Sequence, residues 1–194
     1  MSDSTARLRA MIITADGTAL MNRPVYTVTW VRGWDVHDTL KRLGVADVAA
    51  LTWADLYRRD SGTNGHSDLV VVAPAGDWVV ALQVGGWWFA FDGELNEVTR
   101  DGGEAVSVMR HDRSHGHFAH SVDGRSRTHF LVREPGTRWG AAPDALGDLI
   151  YADDHPDPDA AALALAAEVT GVSFTTGLFA EPLVGGRVTR SRLR

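Results

Sequence analysis

Over residues 25–32 (VYTVTWVR) Tyr26, Val28 and Trp30 fall on one side and Val25, Thr27, Thr29 and Val31 on the other, which predicts a strand. Gly33 ends it. Asp35 stands where a helix N-cap belongs, and Val36, Leu40 and Leu43 recur at helical spacing before Gly44, so a helix is expected over 36–43. A second helix is expected over 47–59 (DVAALTWADLYRR), with Val48, Leu51 or Trp53, and Leu56 or Tyr57 turned inward. The following RRDSGTNGHSD has the composition of a surface loop.

The densest apolar stretch is AGDWVVALQVGGWWFAFDGE, residues 75–94. Ala75, Gly76 and Asp77 predict a hairpin turn between two Val- and Leu-rich strands. Gly85 and Gly86 suit a second reversal, into a strand with Trp87, Phe89 and Phe91 on one face and Trp88 and Ala90 on the other. A short helical turn is expected over about 92–100. Strands over 104–110, 117–122 and 127–133 then form a meander, its last hairpin marked by Asp123-Gly124. Residues 135–143 read as a loop containing Trp139, and Pro143 opens a short helix over 144–150. The acidic run DDHPDPD suits the positive end of a helix over 160–169, and 174–184 returns as an extended or loop segment.

Strands outnumber helices and succeed one another directly. The expected fold is therefore α+β: a mainly antiparallel central sheet of five or six strands, with helices near the N- and C-terminal ends packed on it. One domain is expected over 1–185, residues 1–9 being mobile and 11–14 a short strand or helical turn, and 186–194 (GRVTRSRLR) reads as a mobile basic tail.

Composition narrows the function classes. The chain has 194 residues and 44% hydrophobic content, enough for a real core. A formal net charge of -6 argues against general affinity for nucleic acid or anionic membrane. With no cysteine, thiol catalysis, disulfides and thiolate metal sites are all excluded. No apolar run reaches the length of a membrane span, and the N-terminus lacks a signal-peptide core, so a cytoplasmic protein is expected.

Five histidines, His111, His115, His117, His120 and His129, crowd one region. HDRSHGH reads as a hairpin tip with exposed histidines, and no HExxH motif or facial triad accompanies them, so no metal is expected. Asp153, Asp154, Asp157 and Asp159 lack the glycine and distal glutamate of a calcium loop and are read as capping residues. Phosphate-binding glycine loops and a GxSxG elbow are missing, and no cofactor is expected. Arg32, Arg110, Arg125, Arg127 and Arg133 read as solvated strand residues, with an anion-binding stripe as the alternative.

TWVRGWDVHDTLKRLGV (29–45), GDWVVALQVGGW (76–87), the hairpin over 118–124, PDAL (143–146) and AALALAAEVTGV (161–172) succeed one another in an order that resembles an uncharacterised domain-of-unknown-function family of actinomycetes. The resemblance spans about residues 25–172 and implies no catalytic residue or cofactor. Its members look like small proteins encoded beside toxin and signalling genes, which implies a partner by association only.

Two readings are carried forward. The first is a non-catalytic protein-interaction or regulatory module, immunity-like in kind, whose partner is another protein and whose contact candidates are Trp34, Trp53, Trp88 and Trp139. Within the dense apolar stretch, only Trp88 keeps a functional claim. The second is a small-ligand protein or enzyme with a site on the sheet face built from His117, His120, His129 and Arg127.

Overall fold

The computed structural model describes residues 23–60 and 67–189, apart from the side chains of 57–60 and 176. The expectations for residues 1–9 and 11–14, and for most of the loop after 58, lie outside the described residues, although 58–60 belong to a helix.

The described chain builds one nine-stranded sheet in which every neighbouring pair is antiparallel, with four α-helices. The strands are β1 (Val25–Arg32), β2 (Val45–Leu51), β3 (Leu69–Ala75), β4 (Trp78–Val84), β5 (Glu104–His111), β6 (His117–Val122), β7 (Arg125–Leu131), β8 (Glu134–Trp139) and β9 (Leu183–Val188). Their spatial order is β2-β9-β3-β4-β1-β5-β6-β7-β8. The helices are α1 (Val36–Arg42), α2 (Trp53–Asp60), α3 (Asp92–Thr99) and α4 (Pro158–Thr170).

Both faces of the sheet are covered, and this explains the near-continuous apolar runs at its centre. Tyr26, Val28 and Trp30 of β1 join Val80, Leu82, Val106, Val108, Phe118 and Phe130 on one face, packed against α4, α2 and the buried Phe174 and Phe179. Trp30 sits edge-on to Phe174 and donates its indole N–H to the Val172 carbonyl, 3.1 Å away. On the other face Val31, Val70, Val72, Val79, Ala81, Ala105 and Ala119 meet Leu40 and Leu43 of α1 and Leu95 and Val98 of α3. Two threonines of that face are paired: Thr27 donates to the Gly86 carbonyl (2.9 Å) and Thr29 is hydrogen-bonded to Ser107 (3.1 Å).

Local signals account for much of this. Asp35 caps α1 by accepting the Asp38 N–H at 2.8 Å, and Asp157 and Pro158 open α4. Asp123 and Gly124, both at positive φ (49 and 73), make the tight turn between β6 and β7. The β3–β4 hairpin and the β5–β6–β7 meander are present.

Several expectations are corrected. Helices are not confined to the chain ends, since α3 comes from its middle. Residues 45–51 form β2, not a helix, because they pair with β9 through a bulge at which Asp47 adopts φ 52. The helix begins only at Trp53, where Thr52 and Asp55 cap each other through bonds of 2.7 to 3.2 Å. Residues 87–91 do not form a strand. Buried Gln83 accepts the Trp88 N–H (2.9 Å) and donates to the Ser67 carbonyl (2.7 Å), and Phe89 turns at φ 69, which sends the chain into α3. Residues 134–139 pair as β8, an edge strand whose outer position tolerates Pro135. The helix expected over 144–150 is only a turn of 3-10 helix, Gly147–Leu149. The tail expected from 186 is ordered through Val188, because β9 lies between β2 and β3.

Candidate functional site

The α1/α3 face of the sheet carries two groupings, one at the first residue of α3 and one along the side of α3 that faces α1. The first centres on Asp92, the opening residue of α3, whose carboxylate lies at the positive end of the helix. Its Oδ1 accepts from His129 Nδ1 at 2.5 Å and from Ser126 Oγ at 2.9 Å, and its Oδ2 accepts from Trp139 Nε1 at 3.3 Å. Strict alternation along β7 puts Ser126 and His129 on opposite faces. The register shift beside Ser121 brings both to the same carboxylate. Burial pushes the Asp92 carboxyl up, but hydrogen bonds from His129, Ser126 and Trp139, together with the charge of His129, hold it below the usual aspartate value.

His129 is buried, and its Nε2 lies 3.0 Å from His117 Nδ1 on the neighbouring strand. Burial and the adjacent His129 depress the His117 imidazole to about 4, against a smaller upward pull from Asp92. Rings continue the line on both sides. Phe91 stands edge-on to His117 with centroids 5.0 Å apart, and Trp139 stacks on His129 at 4.4 Å. Phe91 is 39% exposed and Trp139 37% exposed, so the pair of half-buried Asp92 and buried His129 opens to solvent along an aromatic edge.

Of the four residues expected to make a ligand site, the fold brings together only His117 and His129. His120 faces the opposite side of the sheet, where its Nε2 lies 2.9 Å from Glu104 Oε1. Burial lowers its pKa, the pull of Glu104 offsetting part of the effect and the charges of Arg127 and Arg32 adding to it. Arg127, the unpaired residue of the β7 bulge, is exposed. The 111–117 stretch is the β5–β6 hairpin tip expected, but of its histidines only His115, beside Glu134 at 2.7 Å, is exposed; His111 and His117 are half-buried, and His120 and His129 beyond it are buried. Arg32 and Arg110 form no anion stripe, since Glu104 and Asp159 hold them. Among the described residues no three histidine or carboxylate side chains are grouped to hold a metal ion, and no helix is long and apolar enough to cross a membrane.

The second grouping is a cleft of about 410 Å³ between α1 and α3. Trp34, just before α1, and Trp88, just before α3, both line it, and both are half-buried. Buried Leu43, Phe89, Val98 and Val188 contribute apolar walls, while exposed Lys41, Glu97 and Arg100 add charge. Arg42 ties the two helices together. Its guanidinium lies 3.6 Å from the Trp34 ring centroid and donates to the Arg100 carbonyl (2.8 Å) and to Asp101 Oδ2 (3.1 Å). Of the four tryptophan candidates, Trp34 and Trp88 share this cleft and Trp139 belongs to the histidine grouping. Trp53 is only 5% exposed, packed edge-on against Phe179 in the core, so it is no surface contact.

Sequence reasoning missed Asp92 and Ser126. Asp92 carried a legible signal as an acidic residue opening a helix, but its partners depend on a bulge that leaves no local mark. No curated protein and no solved structure matches the chain. Over residues 15–183 the sequence matches the model of a family of unknown function, DUF6461, and the chain belongs to that family.

Proposed function

We propose that this protein is a non-catalytic interaction module that docks another protein at the α1–α3 cleft, receiving an anchor side chain between Trp34 and Trp88. The observation that carries this reading is the convergence of two tryptophans, distant in sequence, on one cleft whose walls are apolar and whose rim is charged. Half-buried tryptophans at such a rim are the residue type that concentrates binding energy at interfaces. The net charge of -6 favours a partner with a basic surface over nucleic acid. An immunity-like or regulatory role in an actinomycete cytoplasm accords with the resemblance described above and with a cysteine-free composition.

The cleft volume also falls within the range of small-molecule sites, about 300–1,000 Å³, which favours a small ligand as the second reading. The two are separated by one experiment. The immobilised chain and its Trp88→Ala and Trp139→Ala variants are exposed to host extract, and captured proteins and released small molecules are identified by mass spectrometry. A protein retained by the wild type and by Trp139→Ala but lost with Trp88→Ala supports docking at the cleft. A small molecule with the same pattern supports the second reading, and capture indifferent to Trp88 overturns both.

A further inference from the structure

The Asp92, His129 and His117 side chains form a continuous hydrogen-bonded line from the start of α3 to a half-buried imidazole. One arrangement of protons satisfies that line when both imidazoles are neutral. The Asp92 carboxylate only accepts, so His129 carries its proton on Nδ1 and presents a bare Nε2. His117 must then donate from Nδ1, which leaves its own Nε2 as a lone pair. Among the described residues, His117 Nε2 makes no hydrogen bond, while the rings of Phe91 and Trp139 extend the line to solvent on either side.

We propose that this aromatic edge is a second binding site, separate from the cleft, for a phenol or indole ring whose O–H or N–H is donated to His117 Nε2. Each part of the ligand has a counterpart in the structure. The ring faces meet an edge already built of stacked and T-shaped rings, an arrangement aromatic groups favour. The polar hydrogen meets an acceptor whose tautomer is fixed from behind by a carboxylate, as a carboxylate fixes a histidine in hydrolytic triads. Burial, the larger cause, keeps His117 unprotonated at neutral pH, so the acceptor is present there. A cation in the same place is not favoured by a ring edge, and an anion has no donor to meet. The ring can come from a free metabolite or from a tyrosine or tryptophan of a polypeptide.

The test uses the whole chain with ¹⁵N-labelled histidine at about pH 8, above the ordinary histidine range. Imidazole nitrogen shifts read the tautomer directly, and 3-methylindole, p-cresol and N-acetyltryptophanamide are titrated against 1,3-dimethylindole and p-methylanisole, which lack the donor. The expected result is a proton on His117 Nδ1, a ligand-induced shift at Nε2, and donor ligands binding about tenfold tighter than their methylated partners, the worth of one hydrogen bond. Equal affinity within each pair overturns the proposal, as does a proton found on His117 Nε2 in the free protein. Binding of N-acetyltryptophanamide assigns the site to a peptide-borne ring, and binding of the free rings alone assigns it to a small molecule. A His117→Phe variant keeps the ring and removes the acceptor, and it is expected to erase the difference within each pair. Persistence of that difference also overturns the proposal. The methylated-ligand comparison needs no variant and stands even where the substitution unfolds the chain.

Discussion

Asp92 Oδ1 lies 2.5 Å from His129 Nδ1, joining the first residue of a surface helix to a buried side chain on β7, the strand next to the edge strand that carries Trp139. This contact fastens α3 to β7. Replacing Asp92 with alanine leaves the buried His129 N–H without its acceptor and removes three hydrogen bonds to one carboxylate. A loss of about 1–3 kcal/mol is expected, dominated by the unpaired buried donor. Urea denaturation with unchanged m-value checks it, and Ser126→Ala is expected to cost less because a water can replace its hydroxyl.

The same grouping makes stability fall on acidification in two stages. His117 has a native pKa lowered to about 4 from 6.5, so between those values the unfolded chain binds more protons and stability rises with pH. Its contribution is complete above the unfolded value and lost as pH falls toward 4. His120, lowered by burial, acts in the same direction. Asp92, lowered in the native state, adds a second loss as pH falls from its ordinary value of 3.8 through its native one. Each group contributes at most about 1.4 kcal/mol per pH unit. In His117→Gln the slope between pH 6.5 and about 4 is expected to diminish, which denaturation midpoints across that range will show.

Arg42 is the tie between α1 and α3. Lysine supplies the charge but neither the planar stacking on Trp34 nor donors to both the Arg100 carbonyl and Asp101. Arg42→Lys is therefore expected to destabilise by about 1 kcal/mol and Arg42→Ala by about 2. Hydrogen exchange at the C-terminal turn of α3 is expected to quicken in both, with α4 unchanged.

Gly185 in β9 faces a more severe limit. An added Cβ there would stand 2.2 Å from the Val70 carbonyl oxygen and 2.8 Å from Val71 Cα, and backbone atoms in a paired strand cannot withdraw. Gly185→Ala is expected to cost more than about 3 kcal/mol, at the upper end for overpacking. Gly76→Ala, at a turn with nothing within 4 Å, is expected to lose only the smaller penalty of its positive φ, about 1 kcal/mol. Thermal melts of the two variants compare them directly.

Half of the candidate machinery was legible residue by residue. Trp34, Trp88, Trp139, His117 and His129 stand out by type, and the two-residue repeat of a strand sets His117 and His120 on opposite faces. Which of them meet was not legible. Trp34 and Trp88 share a cleft because α1 and α3 lie side by side on one face, and His117 meets His129 because β6 pairs with β7 in one register among several that alternation allows.

Caps, turns and short-range pairing belong to the sequence itself: Asp35 opens α1, Asp123-Gly124 reverses the meander, Asp157-Pro158 opens α4, and the apolar runs of β1, β3 and β4 become central strands. Each is a preference of a few neighbouring residues and survives being read alone. Tertiary structure decided the rest. Residues 45–51 become a strand and not a helix only because β9 offers an edge, Gly185 and Gly186 serve close packing of that edge and not a loose tail, and residues 87–91 turn because buried Gln83 holds their backbone. In every such case the stabilising partner lies elsewhere in the chain, so no local pattern records it.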